Sequence, residues 1–170
     1  MKKVFGLLLV ASVFTSCQKQ KIAFIDNGEV INKIQEKLDL EENYKTTLDK
    51  FNQRRDSLGK DFQMQAQKFQ MDAQSMPAKT AQAKYDELGQ KQQMLQQQLQ
   101  AEQQKISEPF QKEMDSLISK VKTYVNEYGK SNGYDYILGT SDASPSVLFG
   151  KSDNDLSNTI IEGLNASYKK

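Results

Sequence analysis

Hydrophobic positions change period several times along this chain. Lys21-Ile22-Ala23-Phe24-Ile25-Asp26 is apolar without alternation, which predicts a strand buried on both faces. Asn27 and Gly28 end it, and Asn27 is the expected N-cap of a helix. From there the period lengthens. Tyr44, Leu48, Phe51, Arg55, Leu58, Phe62, Gln65 and Phe69 recur at alternating steps of four and three, the seam of a heptad. Apolar occupancy holds to Leu58. Gln65 and Asp72 then take seam positions, while Phe69 and Met76 keep the phase. The pattern therefore describes a helical arm packed at its base and loose toward its tip.

Ser75-Met76-Pro77 interrupts the arm. Proline cannot continue a helix, and it pushes its predecessor away from helical angles, so the chain should reverse here. A second seam returns through Ala81, Tyr85, Leu88, Gln92, Leu95, Leu99 and Ile106. Gln90 to Gln104 is Gln-rich, but Met94, Leu95 and Leu99 keep helical spacing, and glutamine is a fair helix former. Pro109 marks a kink, and the next seam is Phe110, Met114, Leu117, Val121, Tyr124 and Tyr128, a phase slip of the stutter type. Tyr128-Gly129 should end this helix, with Ser131-Asn132-Gly133 as the turn. Tyr134 to Leu138 reads as a second strand, Gly139 to Pro145 as a loop, and Ser146 to Phe149 as a short third strand. Leu156, Ile160, Ile161 and Leu164 form one face of a last helix, with Asp153, Asn154 and Asp155 as N-terminal caps.

The fold class is thus mainly α with a small β body and a long antiparallel helical-hairpin, coiled-coil arm. Each arm helix, at about 40–45 residues, would be roughly 60–70 Å long. Three short strands and one short helix make too small a base to stand alone, so the base should be shared between chains. In domain terms, 27–128 is the arm, and 21–26 with 129–170 is the β body with its C-terminal helix.

The N-terminus is of another kind. Lys2 and Lys3 precede an apolar run, Val4 to Phe14, too short to span a bilayer, and then Phe14-Thr15-Ser16-Cys17. The stretch resembles a bacterial lipoprotein signal, residues 1–16, with Cys17 as the lipid attachment site and 17–20 as a lipidated tether. Phe14 stands where leucine is commoner. The other reading is an ordinary signal cut nearby, leaving a free thiol. Several acyl chains anchor stably where one would be marginal. Gln18-Lys19 carries no acidic surface-export tag, which favours the periplasmic side, with the outer membrane as the expected anchor and the inner membrane as the alternative.

Composition removes most enzymatic options. The chain has one Cys and no His, which leaves no intrachain disulfide, no histidine base and no histidine-containing metal site. Hydrophobic content is 37%, mean hydropathy −0.72, and Trp is absent, values that suit elongated helices burying one stripe. The formal charge is +1. Residues 1–17 hold two lysines and no acid, so the mature chain is formally −1, with no field to draw nucleic acid. Gly150-Lys151-Ser152 lacks the earlier glycine of a phosphate loop, since Pro145 stands there. Asp153-Asn154-Asp155 lacks the glycine and glutamate of a calcium loop, having Asn158 and Leu164 instead. No nucleophile-elbow or zinc motif is present. Asp56-Ser57-Leu58 and Asp115-Ser116-Leu117 match a bacterial O-glycosylation acceptor, at a length where chance matches abound. No enzyme activity and no cofactor is expected.

Two separated blocks carry a family resemblance. Lys21 to Asp26 looks like the opening strand of the Skp/OmpH family of periplasmic outer-membrane-protein chaperones. Gly133 to Leu138, Val147-Leu148-Phe149, and Asp155-Leu156-Ser157 with Ile160, Ile161, Leu164 and Asn165 resemble its closing strands and last helix. The arms match in length and Gln/Lys-rich character. The resemblance implies a homotrimer with a β-barrel-like base and helical tentacles around a cavity, holding unfolded outer-membrane proteins without ATP. Many members are soluble and strongly basic. This chain looks lipidated and near neutral, which puts a basic cavity and a lipopolysaccharide site in doubt.

A holdase needs weak, adaptable apolar contacts on a flexible frame. The candidate client contacts are Met64, Met71, Met76, Met94, Phe69 and Tyr85, with Lys79, Lys84 and Lys91 for acidic clients. Phe62 and Phe69 are in phase and read first as seam filling, whereas Met64, Met71 and Met94 lie off the seam. The competing reading is a lipid-anchored structural spacer or adaptor without chaperone activity, which requires a well-packed seam out to the tip.

Overall fold

The reversal lies where the proline puts it. In the computed structural model, which describes residues 20–169, helix α2 (Gln35–Ala73) ends three residues before Met76 and helix α3 (Ala78–Ser131) starts after Pro77. Pro77 has extended angles, and its carbonyl accepts from Thr80 N–H at 2.9 Å and Ala81 N–H at 3.0 Å, which opens α3. The two helices then run antiparallel. Arg54 donates to Glu102 at 2.8 Å, Lys91 bonds Gln65, Lys120 bonds Glu36, and Tyr44 stacks on Phe110 with centroids 4.1 Å apart. Each pair is centred in sequence on residue 77 or 78, so one register holds from base to tip. At the standard rise, 39 residues make α2 about 58 Å long and 54 make α3 about 81 Å.

The other elements form the base: strand β1 (Ile22–Asp26), helix α1 (Asn27–Lys33), strand β2 (Tyr136–Thr140), a 3₁₀ turn (Ser152–Asn154) and helix α4 (Ser157–Ser167). β1 and β2 pair in parallel, Ile22 opposite Tyr136 through Asp26 opposite Thr140, with the whole hairpin as their crossover. Ala23, Ile25, Val30, Ile34, Leu117, Val121, Leu156, Ile160, Ile161 and Leu164 form one buried cluster. A buried polar link ties its layers: Asp26 N–H donates to Ser157 Oγ at 2.8 Å, and that hydroxyl donates to Asp155 at 2.6 Å. Of the three residues expected as caps of α4, only Asp155 bonds its first turn, accepting from Ser157 N–H at 2.9 Å from the position before the N-cap Leu156. Asp153 and Asn154 belong to the 3₁₀ turn. Tyr168 closes the base against the arm by donating to Asp39 at 3.3 Å.

Several expectations need correction. Within one chain β1 is buried on one face only: Ala23 and Ile25 point inward, while Ile22 is exposed and Phe24 half-buried. The cap of α1 is Asp26, whose carboxylate accepts from Glu29 N–H at 2.9 Å, and Asn27 is already helical. The first helix breaks at Ile34, which is extended and only 2% exposed. Its side chain enters the core, and the Gln35 N–H freed by the break bonds Asn165 Oδ1 at 2.7 Å. Pro109 does not interrupt α3. Pro109 and Lys105 are both exposed, so the carbonyl left without a donor faces water. The stutter survives: Glu102, Ile106, Phe110 and Met114 are covered at consecutive steps of four. The second strand starts two residues late because Tyr134 is used in a Schellman turn. Gly133 adopts φ +68°, its N–H reaches Lys130 O, Tyr134 N–H reaches Gly129 O at 2.9 Å, and Tyr134 stacks on Tyr128. Ser146 to Phe149 is not a strand. Among the described residues the sheet has two strands. The signal segment and Cys17 lie outside the described residues.

The arm is thinly packed. Phe51 and Leu117 are its outermost fully buried side chains, and residues 52–116 contain none. Arg55, Gln65, Tyr85 and Gln92, expected in the seam, are exposed, and Ala66 and Glu102 are covered instead. Gly59 and Gly89 interrupt both helices without a packing reason, since a Cβ at either would meet nothing within 4 Å. Gly59→Ala and Gly89→Ala are each expected to stabilise the arm by about 0.5–1 kcal/mol, read as a higher urea midpoint of helical circular dichroism.

Candidate functional site

The helical hairpin has two unlike faces. Four depressions of about 280, 220, 370 and 200 Å³ follow one another from base to tip. On α2 they are lined by Asp39, Asn43, Thr47, Asp61, Gln65, Lys68 and Asp72 beside the seam. These spacings of three, four and multiples of seven draw a single stripe along the helix. On α3 the matching stripe is Lys84, Glu87, Lys91, Gln98, Lys105, Pro109 and Glu113. All four depressions therefore open on the same face. The floor toward the tip is Leu58, Phe62, Leu95, Phe69 and Leu88.

The candidate contacts divide by position. Met94, Phe69, Met76, Lys84 and Lys91 line this grooved face. Met64 and Met71 do not. Each follows a seam phenylalanine by two residues, about 200° round the helix, and so sits on the back of α2. Met71 is 72% exposed there. Tyr85 is 65% exposed and lies about 100° from Lys84, on the other flank of α3. Lys79 is exposed beside the apex. The nine residues thus form no single patch.

Charges on the arm neutralise each other. Residues 52–116 carry equal numbers of acidic and basic side chains, and residues 92–101 carry no charge at all. Arg55 pairs with Asp56 at 2.9 Å, Lys68 with Asp72 at 3.0 Å, and Lys84 with Glu87 at 2.7 Å. The hydrogen bond and charge of Lys84 hold the Glu87 carboxyl below its ordinary pKa. These are exposed pairs, which add little stability but leave a neutral surface.

The base presents a second surface that the periodicity did not single out. Ile22 pairs with Tyr136 and Phe24 with Leu138, so the outer face of the two-stranded sheet is apolar up to its last pair, Asp26 and Thr140. Ile22, Tyr136 and Leu138 are exposed. Leu148 and Phe149, beyond the strands, are 91% and 87% exposed. A cavity of about 510 Å³ opens beside β2, floored by Ile25, Val121, Val125 and Ile137. The unalternating strand at Ile22 to Ile25 carries the signal, as a strand expected to be buried on both faces in a base shared between chains. No helix among the described residues is long and apolar enough to cross a membrane. Among the same residues no acidic or cysteine cluster could hold a metal ion.

Comparison with known proteins places this architecture. The profile of the family described as Outer membrane protein (OmpH-like) matches residues 21–164. No curated protein matches the chain. A crystal structure of a candidate outer membrane chaperone (OmpH-like) from Caulobacter crescentus superposes with a TM-score of 0.79, covering 89% of this chain and 88% of that one. At 12% identity this likeness is one of fold.

Proposed function

This chain belongs to the OmpH-like family, and from that premise we propose that it is an ATP-independent holdase of the bacterial envelope that keeps unfolded outer-membrane proteins from aggregating. Family membership supports a chaperone-type role. The observation that carries the finer reading is the arm itself, which is long, held in register, and without a fully buried side chain over residues 52–116. A spacer gains from a tight seam out to its tip. A holdase gains from a frame whose apolar residues stay available, because unfolded barrel proteins expose apolar side chains and unpaired strand edges.

The working unit is a homotrimer. A two-stranded sheet with an uncovered apolar face is too small to stand alone, and the outer face of β1 and β2 with Leu148 and Phe149 supplies the surface to be shared. Pooling this surface would build a barrel-like base from which the arms project. Phe69, Met76, Met94, Lys84 and Lys91 face a client along the groove, and Met64, Met71, Tyr85 and Lys79 offer contacts on the outer sides. A lipid at Cys17 holds the assembly on the periplasmic face of a membrane, most naturally the outer one. No nucleotide drives release; the client leaves by folding elsewhere.

The test is light scattering of an unfolded barrel protein diluted from urea, with and without an equimolar amount of the trimer. Suppressed scattering is the expected outcome. An unchanged aggregation curve would transfer support to the spacer.

A further inference from the structure

We infer that the grooved face of the arm recognises a short extended stretch of polypeptide by its peptide groups and apolar side chains, with net charge contributing little. This rests on the holdase reading and specifies what is held.

Three observations meet on this face. First, the floor is apolar, since Leu58, Phe62 and Leu95 lie beneath a depression of about 370 Å³ that meets the next one at Gln65. Such a floor takes isolated side chains of an extended segment, not a folded domain. Second, the rim of the larger depression carries glutamines from both helices, Gln65 and Gln98. A glutamine amide has donor and acceptor on one flexible stem, the complement of a peptide group, which also offers one of each. Gln65 already accepts from Lys91 through its oxygen, so its amide nitrogen is the group left to donate. Third, the surface is electrically quiet. Lys84 is paired with Glu87, Lys68 with Asp72, Lys91 with a neutral amide, and residues 92–101 are uncharged. An arm selecting acidic clients would carry an excess of basic over acidic side chains, and residues 52–116 carry none.

An unpaired strand segment suits this chemistry. It offers alternate side chains to the floor and free N–H and C=O groups to the rim. Each contact is weak and independent of sequence, so many segments would be held loosely.

The experiment uses the full-length assembled protein and two urea-unfolded, fluorescently labelled barrel proteins of opposite net charge. Affinities for the two are expected to agree within about threefold and to change by less than about threefold as NaCl rises from roughly 50 to 500 mM, because screening weakens only charge–charge attraction. Loss of affinity by tenfold or more over that range, or strong preference for one probe, would overturn the inference while leaving the holdase reading intact. Gln65→Glu with Gln98→Glu should weaken both probes by about tenfold, since each change removes the amide donors. Gln93→Glu with Gln100→Glu adds equal charge on the far side of α3 and should leave affinity within about twofold. Circular dichroism checks that helicity is kept. Equal losses in the two pairs would refute a groove-based site. Binding of neither probe by the unaltered protein would sink both this inference and the reading beneath it.

Discussion

Leu148→Asp combined with Phe149→Asp is expected to leave each chain folded and to dissolve the proposed trimer. The two side chains are 91% and 87% exposed in the single chain, so neither supports its own core. Exposed substitutions of this kind ordinarily change stability by less than about 0.5 kcal/mol. In a trimer the balance reverses. Each covered Leu or Phe contributes roughly 1.5–3 kcal/mol of burial, and a carboxylate in its place must shed water without a partner. Both effects repeat at every interface. Light scattering should give a mass near one chain in place of three, with unaltered helical circular dichroism, and suppression of client aggregation should fall with it. A variant that kept the mass of the parent would remove Leu148 and Phe149 from the subunit interface.

Ile160→Ala tests the opposite property, the dependence of the whole molecule on its small core. Ile160 is 0% exposed, within the cluster that joins α4 to β1, α1 and the foot of α3. Truncating such a residue removes its burial and leaves a cavity, at a cost of about 2–5 kcal/mol. A domain of ordinary stability has only about 5–15 kcal/mol in total, so the variant should lose a large part of it. Leu95→Ala is the natural comparison. Leu95 is half-buried over an open depression, where water fills the vacated space, and about 1 kcal/mol is expected. Urea unfolding followed at 222 nm should show the first midpoint falling several times further than the second. Equal shifts would mean that the arm carries as much of the stability as the base.

The hairpin was legible because its signals are local. Pro77 breaks a helix wherever it stands, and heptad spacing needs no knowledge of the partner. Loosening past the base was readable too, from Gln65 and Asp72 at seam positions. What escaped depended on contacts between distant parts of the chain. Ile34 has no proline or glycine to announce a break; the helix yields there because the core claims its side chain and Asn165 receives the next amide. Tyr134 looked like strand until the Schellman turn used it. Val147-Leu148-Phe149 has strand composition but no strand neighbour within its own chain, so its apolar character is better read as a surface than as an element. Tyr85 fitted the seam by count, yet the seam near the tip is one residue per heptad wide and passes through Ala81, Leu88 and Leu95. Gln98 on the groove rim carried no positional signal, because the stretch around it is mostly glutamine, and Gln65 was expected within the seam and not on the rim.

The crossover between the paired strands also orders events in time. Lys21 N–H bonds the Asp135 carboxylate across 114 positions of sequence, so β1 has nothing to pair with until most of the chain has emerged. The helices between them rest on near-neighbour contacts, which form fast, and their closure brings the two strands together at reduced entropic cost. A chain delivered from its N-terminus would therefore complete its arm before its base. During that interval it would itself be an incompletely folded protein with open apolar strands.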